Sequence, residues 1–347
     1  MKRWTVFAAL GLALSAARIV TPGTARASSH AWYQVYQSGF SGYFGQTAAI
    51  SKNNVWSVGG TFTRTGKTIY QPFIRHFNGR SWAQGITIPH SSGSTADWVS
   101  ASAANNVWIG GLNNASIGAT VVYRWNGARW AKIPMPAMTY LQGVTVLAPN
   151  NVWAFGSSGT VSDDIFHWNG SKWQYYLDDS INFIPQGISA SGPDNVWVSG
   201  FAFSGSKQVL AAYRWNGTAW HPVGIPHPVL DDGGPNVTAV SSSNVWIGWF
   251  DTSTSQALHW DGHHWHTVTA PYYADPLNIV PDGKGGYWFG ARAILTGSTW
   301  TAEQVPAFSG ASGGVTQIPG TTSFLMDAGV EASGSTTEKP TIFRFDL

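Results

Sequence analysis

The chain of 347 residues has no cysteine, carries only 10% charged residues, and shows no long apolar run beyond its first residues. Without cysteine there are no disulfides and no site for lipid attachment through a thiol, so packing and backbone ladders must hold the fold alone. Charge this sparse, against about 25% in an average globular protein, gives no surface suited to nucleic acid or to anionic membranes. The missing apolar runs exclude a membrane-spanning helix in the body of the chain. Glycine, polar and aromatic residues alternate throughout instead, which is not a disordered composition.

Residues 1–27 read as an export leader. Lys2 and Arg3 precede the apolar run Trp4–Ala17, too short to span a bilayer, and Ala25-Arg26-Ala27 supplies a small-x-small cleavage site. Its removal takes four basic residues and no acid, so the formal charge moves from +2 to −2. A secreted, extracellular protein is expected, with residues 28–347 forming one domain.

The 20 tryptophans fall into a frame. The segments NVWSVGG (54–60), NVWIGG (106–111), NVWAFG (151–156), NVWVSG (195–200), NVWIGW (244–249) and GYWFGA (286–291) align on Trp56, Trp108, Trp153, Trp197, Trp246 and Trp288. A second block follows each: HFNGRSW, RWNGARW, HWNGSKW, RWNGTAW, HWDGHHW and the worn LTGSTW ending at Trp300. First tryptophans recur every 42–52 residues, the period of four-stranded propeller blades.

Each NVW run reads as a strand covered on both faces, and each Asn-Gly or Asp-Gly as a tight hairpin turn. With a two-residue turn, Trp125 and Trp130 would meet diagonally. A run such as WVSASAA (98–104) before each NVW adds the innermost strand, giving strands A to D from the axis outward. Residues 315–320, 323–329 and 341–347 supply A, B and C of a seventh unit, whose missing D strand resembles AWYQVYQSG (31–39). The sequence therefore predicts an all-β, seven-bladed β-propeller of antiparallel four-stranded blades, closed by residues 28–40 as the outer strand of the last blade. Repeat positions account for 17 of the 20 tryptophans, so most indole is packing between blades.

The frame resembles the kelch repeat, best in residues 107–111 with 123–136 and in 55–60 with its hairpin. It is also similar to the NVW…HWNGxxW repeats of secreted bacterial propellers. Kelch-type copper oxidases need a cysteine cross-linked to tyrosine, which this chain lacks. Sialidases need three arginines around a carboxylate. Arg75, Arg124, Arg214 and Arg344 here sit in the strand C frame, leaving Arg64 and Arg292 outside it. The resemblance implies a fold and assigns no activity.

Positions shared by every blade are scaffold, and those that differ can be specialised. The A–B and C–D turns repeat and lie on one face. The D–A and B–C connections vary, so a ligand site is expected on theirs. Ten residues before each strand B tryptophan lie Gln46, Trp98, Gly143, Gly187, Asn236 and Asn278, with Gln142 and Gln186 one step earlier and Asp97 beside Trp98. Carboxamides at a channel mouth suit neutral sugar hydroxyls, or bind water and close the ring. Phe201, Trp249, Phe250, Asp251 and Arg292 depart from the frame near the ends of strand B, where Trp249 is expected either as an aromatic platform or as loop packing.

Asp163-Asp164, Asp178-Asp179 and Asp231-Asp232 read as solvated loop acids. A Ca²⁺ site is conceivable there, but no calcium-loop spacing surrounds them. His259, His263, His264 and His266 surround the Asp261-Gly262 turn and read as a surface hairpin. No catalytic residue, metal site or cofactor is assigned. The expectation is a monomeric, non-catalytic binder of an extracellular glycan or protein. The competing reading is a polysaccharide hydrolase or lyase using loop carboxylates such as Asp231 or Asp251, with His227 or Arg292.

Overall fold

Blade 2 shows how the frame becomes structure. Trp98–Ala103 (A), Asn106–Asn113 (B), Ala119–Trp125 (C) and Trp130–Ile133 (D) pair antiparallel in that order. Val107, Trp108 and Ile109 are all fully buried, as a strand with sheets against both faces requires. Seven such four-stranded sheets make up the computed structural model, all strand and no helix among the described residues. It describes residues 31–347 except 66, 87–94, 114–118, 136–138, 159–160, 178–181, 227–229, 231–233, 252–253, 306–311 and 332–337. The expected leader, residues 1–27, lies outside the described residues.

The ring closes as the sequence predicts. Blade 7 consists of Ser312–Gln317, Ser323–Glu331 and Glu338–Asp346, with Tyr33–Gln37 as its outer strand in register Tyr33 to Arg344 and Gln37 to Thr341. Trp32 anchors that strand by donating from Nε1 to the Ala291 carbonyl at 3.2 Å and packing 5.5 Å from Trp288.

Between sheets, the strand B indole of one blade wedges into the hairpin aromatics of the next. Trp56 lies 6.3 and 5.3 Å from Trp125 and Trp130, Trp108 lies 5.9 and 6.2 Å from Trp168 and Trp173, and Trp153 lies 5.0 and 5.3 Å from Trp215 and Trp220. Trp197 meets Trp265 and Trp288 meets Phe345 in the same way, whereas Trp246 meets Phe289 of the next strand B, Tyr287–Phe289. Burying an indole is worth at most about 4–6 kcal/mol by area, which is what lets a ring of sheets stand without cross-links.

In the histidine blades the asparagine that opens NVW holds the basic residue of strand C. Asn54, Asn151 and Asn244 accept from His76, His167 and His259 at 3.0–3.1 Å, and each imidazole lies against its indole at 4.0–4.3 Å. Burial holds all three histidines below their ordinary pKa, hence neutral. In blades 2 and 4 an arginine replaces the histidine, and the indole Nε1 of Trp108 or Trp197 itself donates to Asn106 or Asn195 at 3.0 Å.

The C–D turn differs from the expected two-residue Asn-Gly tip. Trp125 pairs directly opposite Trp130, with Gly127 and Ala128 at the tip. Asn126 flanks the tip because its side-chain oxygen accepts the amides of Ala128 and Arg129 at 3.0 and 2.9 Å. Gly127 has φ +96°, and a Cβ there would come within 2.9 Å of Asn105 in the A–B turn. The two repeated turns thus pack together on one face.

Candidate functional site

Strand A starts on the opposite face, at the mouth of the central channel. Residues from blades 1, 2, 3, 6 and 7 line a cavity of about 450 Å³ there. Its polar lining is Gln46, Thr47, Asp97, Gln142, Asp275, Asn278, Thr316 and Asp327, with Trp98, Val144, Leu277 and Val315 between them. Among the described residues three aspartates and no lysine or arginine face this space, so nothing basic lines it.

The expected carboxamides are at the mouth, yet most are engaged in closing the ring. Gln46 Oε1 accepts the Val99 amide of the next blade at 2.9 Å, and Asn236 Nδ2 donates to the Leu277 carbonyl at 2.6 Å. Asn278 accepts the Val315 amide at 2.7 Å. These bonds satisfy the inner edge of the neighbouring strand A, which has no further strand to pair with. Ser100 and Ser189 do the same for the Val146 and Ala239 amides at 3.1 and 3.0 Å. Gln186 donates to the Pro185 carbonyl at 3.0 Å and lies outside the cavity. Gln142 is exposed in the cavity wall and has no hydrogen-bond partner among the described residues.

Of the residues singled out from sequence, Asp97, Trp98, Gln142 and Asn278 are brought together. Gln186, Phe201, Asn236, Trp249, Phe250, Asp251 and Arg292 do not line this cavity. Trp249 is no aromatic platform: it is 4% exposed and packs with Ile225, Leu230 and Val237. Trp98 is also 4% exposed, its ring lying where a Cβ on Gly110 would sit, 2.2 Å from Cζ2. Phe250 and Arg292 are exposed, Phe201 packs edge-on to Phe203 at 5.8 Å, and the Asp251 backbone closes a turn onto Thr254. Asp164 is buried within strand C of blade 3 and is not a loop acid. Asp178, Asp179, His227, Asp231 and Asp232 lie outside the described residues. The His263–His266 hairpin is tied by Asp261, which accepts both backbone amides and His266 Nε2 at 2.7 Å.

Sequence reasoning missed Asp275 and Asp327. Asp327 is 1% exposed, and burial pushes its carboxyl up to about 7. Its Oδ1 accepts the Thr47 hydroxyl, which also contacts Ser57, while Oδ2 has no donor among the described residues. Asp275 accepts the Leu277 amide at 2.9 Å and is raised by burial in the same direction. The signal for Asp327 was present: no other blade has an acid two residues past the strand B position that tryptophan holds in the first six blades. Among the described residues, no group of three His, Asp or Glu is placed to hold a metal ion.

The fold and site define a seven-bladed propeller with a polar channel mouth. No family model and no curated protein matches the chain. Among solved structures, "YCF48 bound to D1 peptide" overlays 95% of this chain on 100% of that one, with TM-score 0.63 and 14% identity. The Cps50 (Swd1) β-propeller domain of Myceliophteria thermophila covers 91% of this chain and 99% of its own, with TM-score 0.55 and 10% identity. The six-bladed Aleuria aurantia lectin overlays 86% of this chain on 95% of its own at TM-score 0.43 and 13% identity, too loosely to bear on the ligand. These similarities concern the fold.

Proposed function

We propose that this is an exported, non-catalytic propeller, its repeats of kelch-like type, that binds a glycan in the channel mouth on its variable-loop face. The observation that carries the reading is the cavity of about 450 Å³ in which polar side chains of five blades converge. Gln142, Thr316 and the carboxylates of Asp97 and Asp275 offer the mixed donors and acceptors that sugar hydroxyls use. With three acids and no base among the described residues of the wall, neutral or amine-bearing sugars are favoured over acidic ones.

A second reading has one observation behind it. A carboxyl raised to about 7, such as Asp327 in a cavity that two other acids also line, is what a glycosidase general acid requires. A glycan array followed by sugar-release assays on each hit separates the two. Binding without release, weakened at least tenfold in Gln142→Ala and in Asp97→Ala, is the expected result. Release that disappears in Asp327→Asn would replace the binder with a hydrolase.

A further inference from the structure

Six seams between blades are filled by a strand B indole, and the seventh is not. Leu325 of blade 7 pairs with Arg344 as Trp56 pairs with His76 and Trp108 with Arg124, so it stands in the tryptophan position of the frame. The hairpin aromatics of blade 1 are still there, with Tyr36 of the closing strand against one side of Trp82 at 5.7 Å. Phe77 and Trp82 occupy the places of Trp125 and Trp130, with ring centroids 5.4 Å apart. Leucine is too short to fill the wedge, and a pocket of about 430 Å³ opens between Leu325, Ile318, Val55, Phe77 and Trp82. It lies on the repeated-turn face, remote from the channel mouth.

The rim of this pocket is cationic. Lys52 of the A–B turn and Arg80 of the C–D turn are exposed and form no ion pair among the described residues. Arg344 also lines it, holding Asp346 at 2.9 Å and Ser323 at 3.0 Å. An apolar pocket lined by aromatic rings, beneath two cations with no ion-pair partner among the described residues, is complementary to one chemistry. We propose that the closure seam is a second binding site, for a small planar aromatic carboxylate. Its ring takes the place of the absent indole between Leu325, Phe77 and Trp82, and its carboxylate meets Lys52 and Arg80. The six filled seams show the occupant's shape, and the rim gives its charge.

Indole-3-propionate is the probe, titrated calorimetrically and followed by saturation-transfer NMR against the intact protein. Saturable binding is expected, with the neutral indole-3-propanol about three- to tenfold weaker, the factor that exposed charge pairs supply. Lys52→Ala with Arg80→Ala should erase that difference and leave binding of the alcohol unchanged. Leu325→Trp should restore the frame, raise the melting temperature and abolish binding of both probes. Leu325→Phe, a smaller filling, serves if the tryptophan variant does not fold. No saturable binding by the wild-type protein, or undiminished binding in a folded Leu325 variant, would overturn the site. Equal affinity for acid and alcohol would overturn its anion preference.

Discussion

Asp327 occupies the strand B position where the other blades carry Val58, Gly110, Phe155, Ser199, Gly248 and Gly290. A carboxylate in that buried place loses its hydration and gains one hydroxyl from Thr47, so burial dominates and the folded pKa rises to about 7. The folded state therefore holds a proton that the unfolded chain releases near pH 4, and stability from this group is lost as pH rises through 7. His76, His167 and His259 act with the opposite sign. Held neutral by burial, they make stability fall as pH drops below their ordinary value of about 6.5. Asp327→Asn keeps the histidines and removes the acid, so the difference between variant and wild type isolates Asp327. Denaturant titrations should show the variant gaining about 2–3 kcal/mol on the wild type between pH 5 and pH 8. A constant difference across that range would mean that Asp327 is ionised throughout.

At the scale of the blade, one asparagine does unequal duty. Asn106 is fully buried and accepts both Trp108 Nε1 and Arg124 Nε, at 3.0 and 2.9 Å, whereas Asn54 accepts, among the described residues, His76 alone. Asn106→Ala strands a buried indole donor and a half-buried charged one, and should cost about 2–3 kcal/mol, against about 1 kcal/mol for Asn54→Ala. Equal losses in urea melts would refute this division between Asn106 of blade 2 and Asn54 of blade 1. The alternation of His and Arg is plain in the blocks HFNG, RWNG, HWNG, RWNG and HWDG, but its meaning is not. Adjacent letters do not tell which side chain lies over which ring. The hairpin turn shows the same limit. Asn-Gly marks a turn, yet the side-chain bonds of Asn126 move the tip by one residue and bring Trp125 directly opposite Trp130.

The whole molecule depends on one short strand. Removing residues 31–37 would leave Glu338–Asp346 with a bare edge and Trp288 without Trp32. Such a variant should lose cooperative unfolding and form oligomers by edge pairing, seen by light scattering. A peptide of residues 31–40 supplied in trans should return it to a monomer. A truncated monomer with an unchanged melting temperature would show that closure contributes little.

What the sequence determined by itself was the architecture. Indoles recurring at blade period, turn residues at fixed offsets, and a seventh unit completed by the start of the domain leave one ring as the solution, because every blade must bury two faces and no inner strand can stay bare. Tertiary structure alone decided where recognition is possible. A carboxamide such as Gln46 or Asn278 can give its hydrogen bonds to a neighbour's backbone or to a ligand, and spacing along the chain does not distinguish these. Likewise Trp249 and Trp98 became buried packing, and Leu325 opened a pocket, because each outcome depends on what the adjacent blade presents across a seam. That pairing across seams is set by the ring, not by the local repeat.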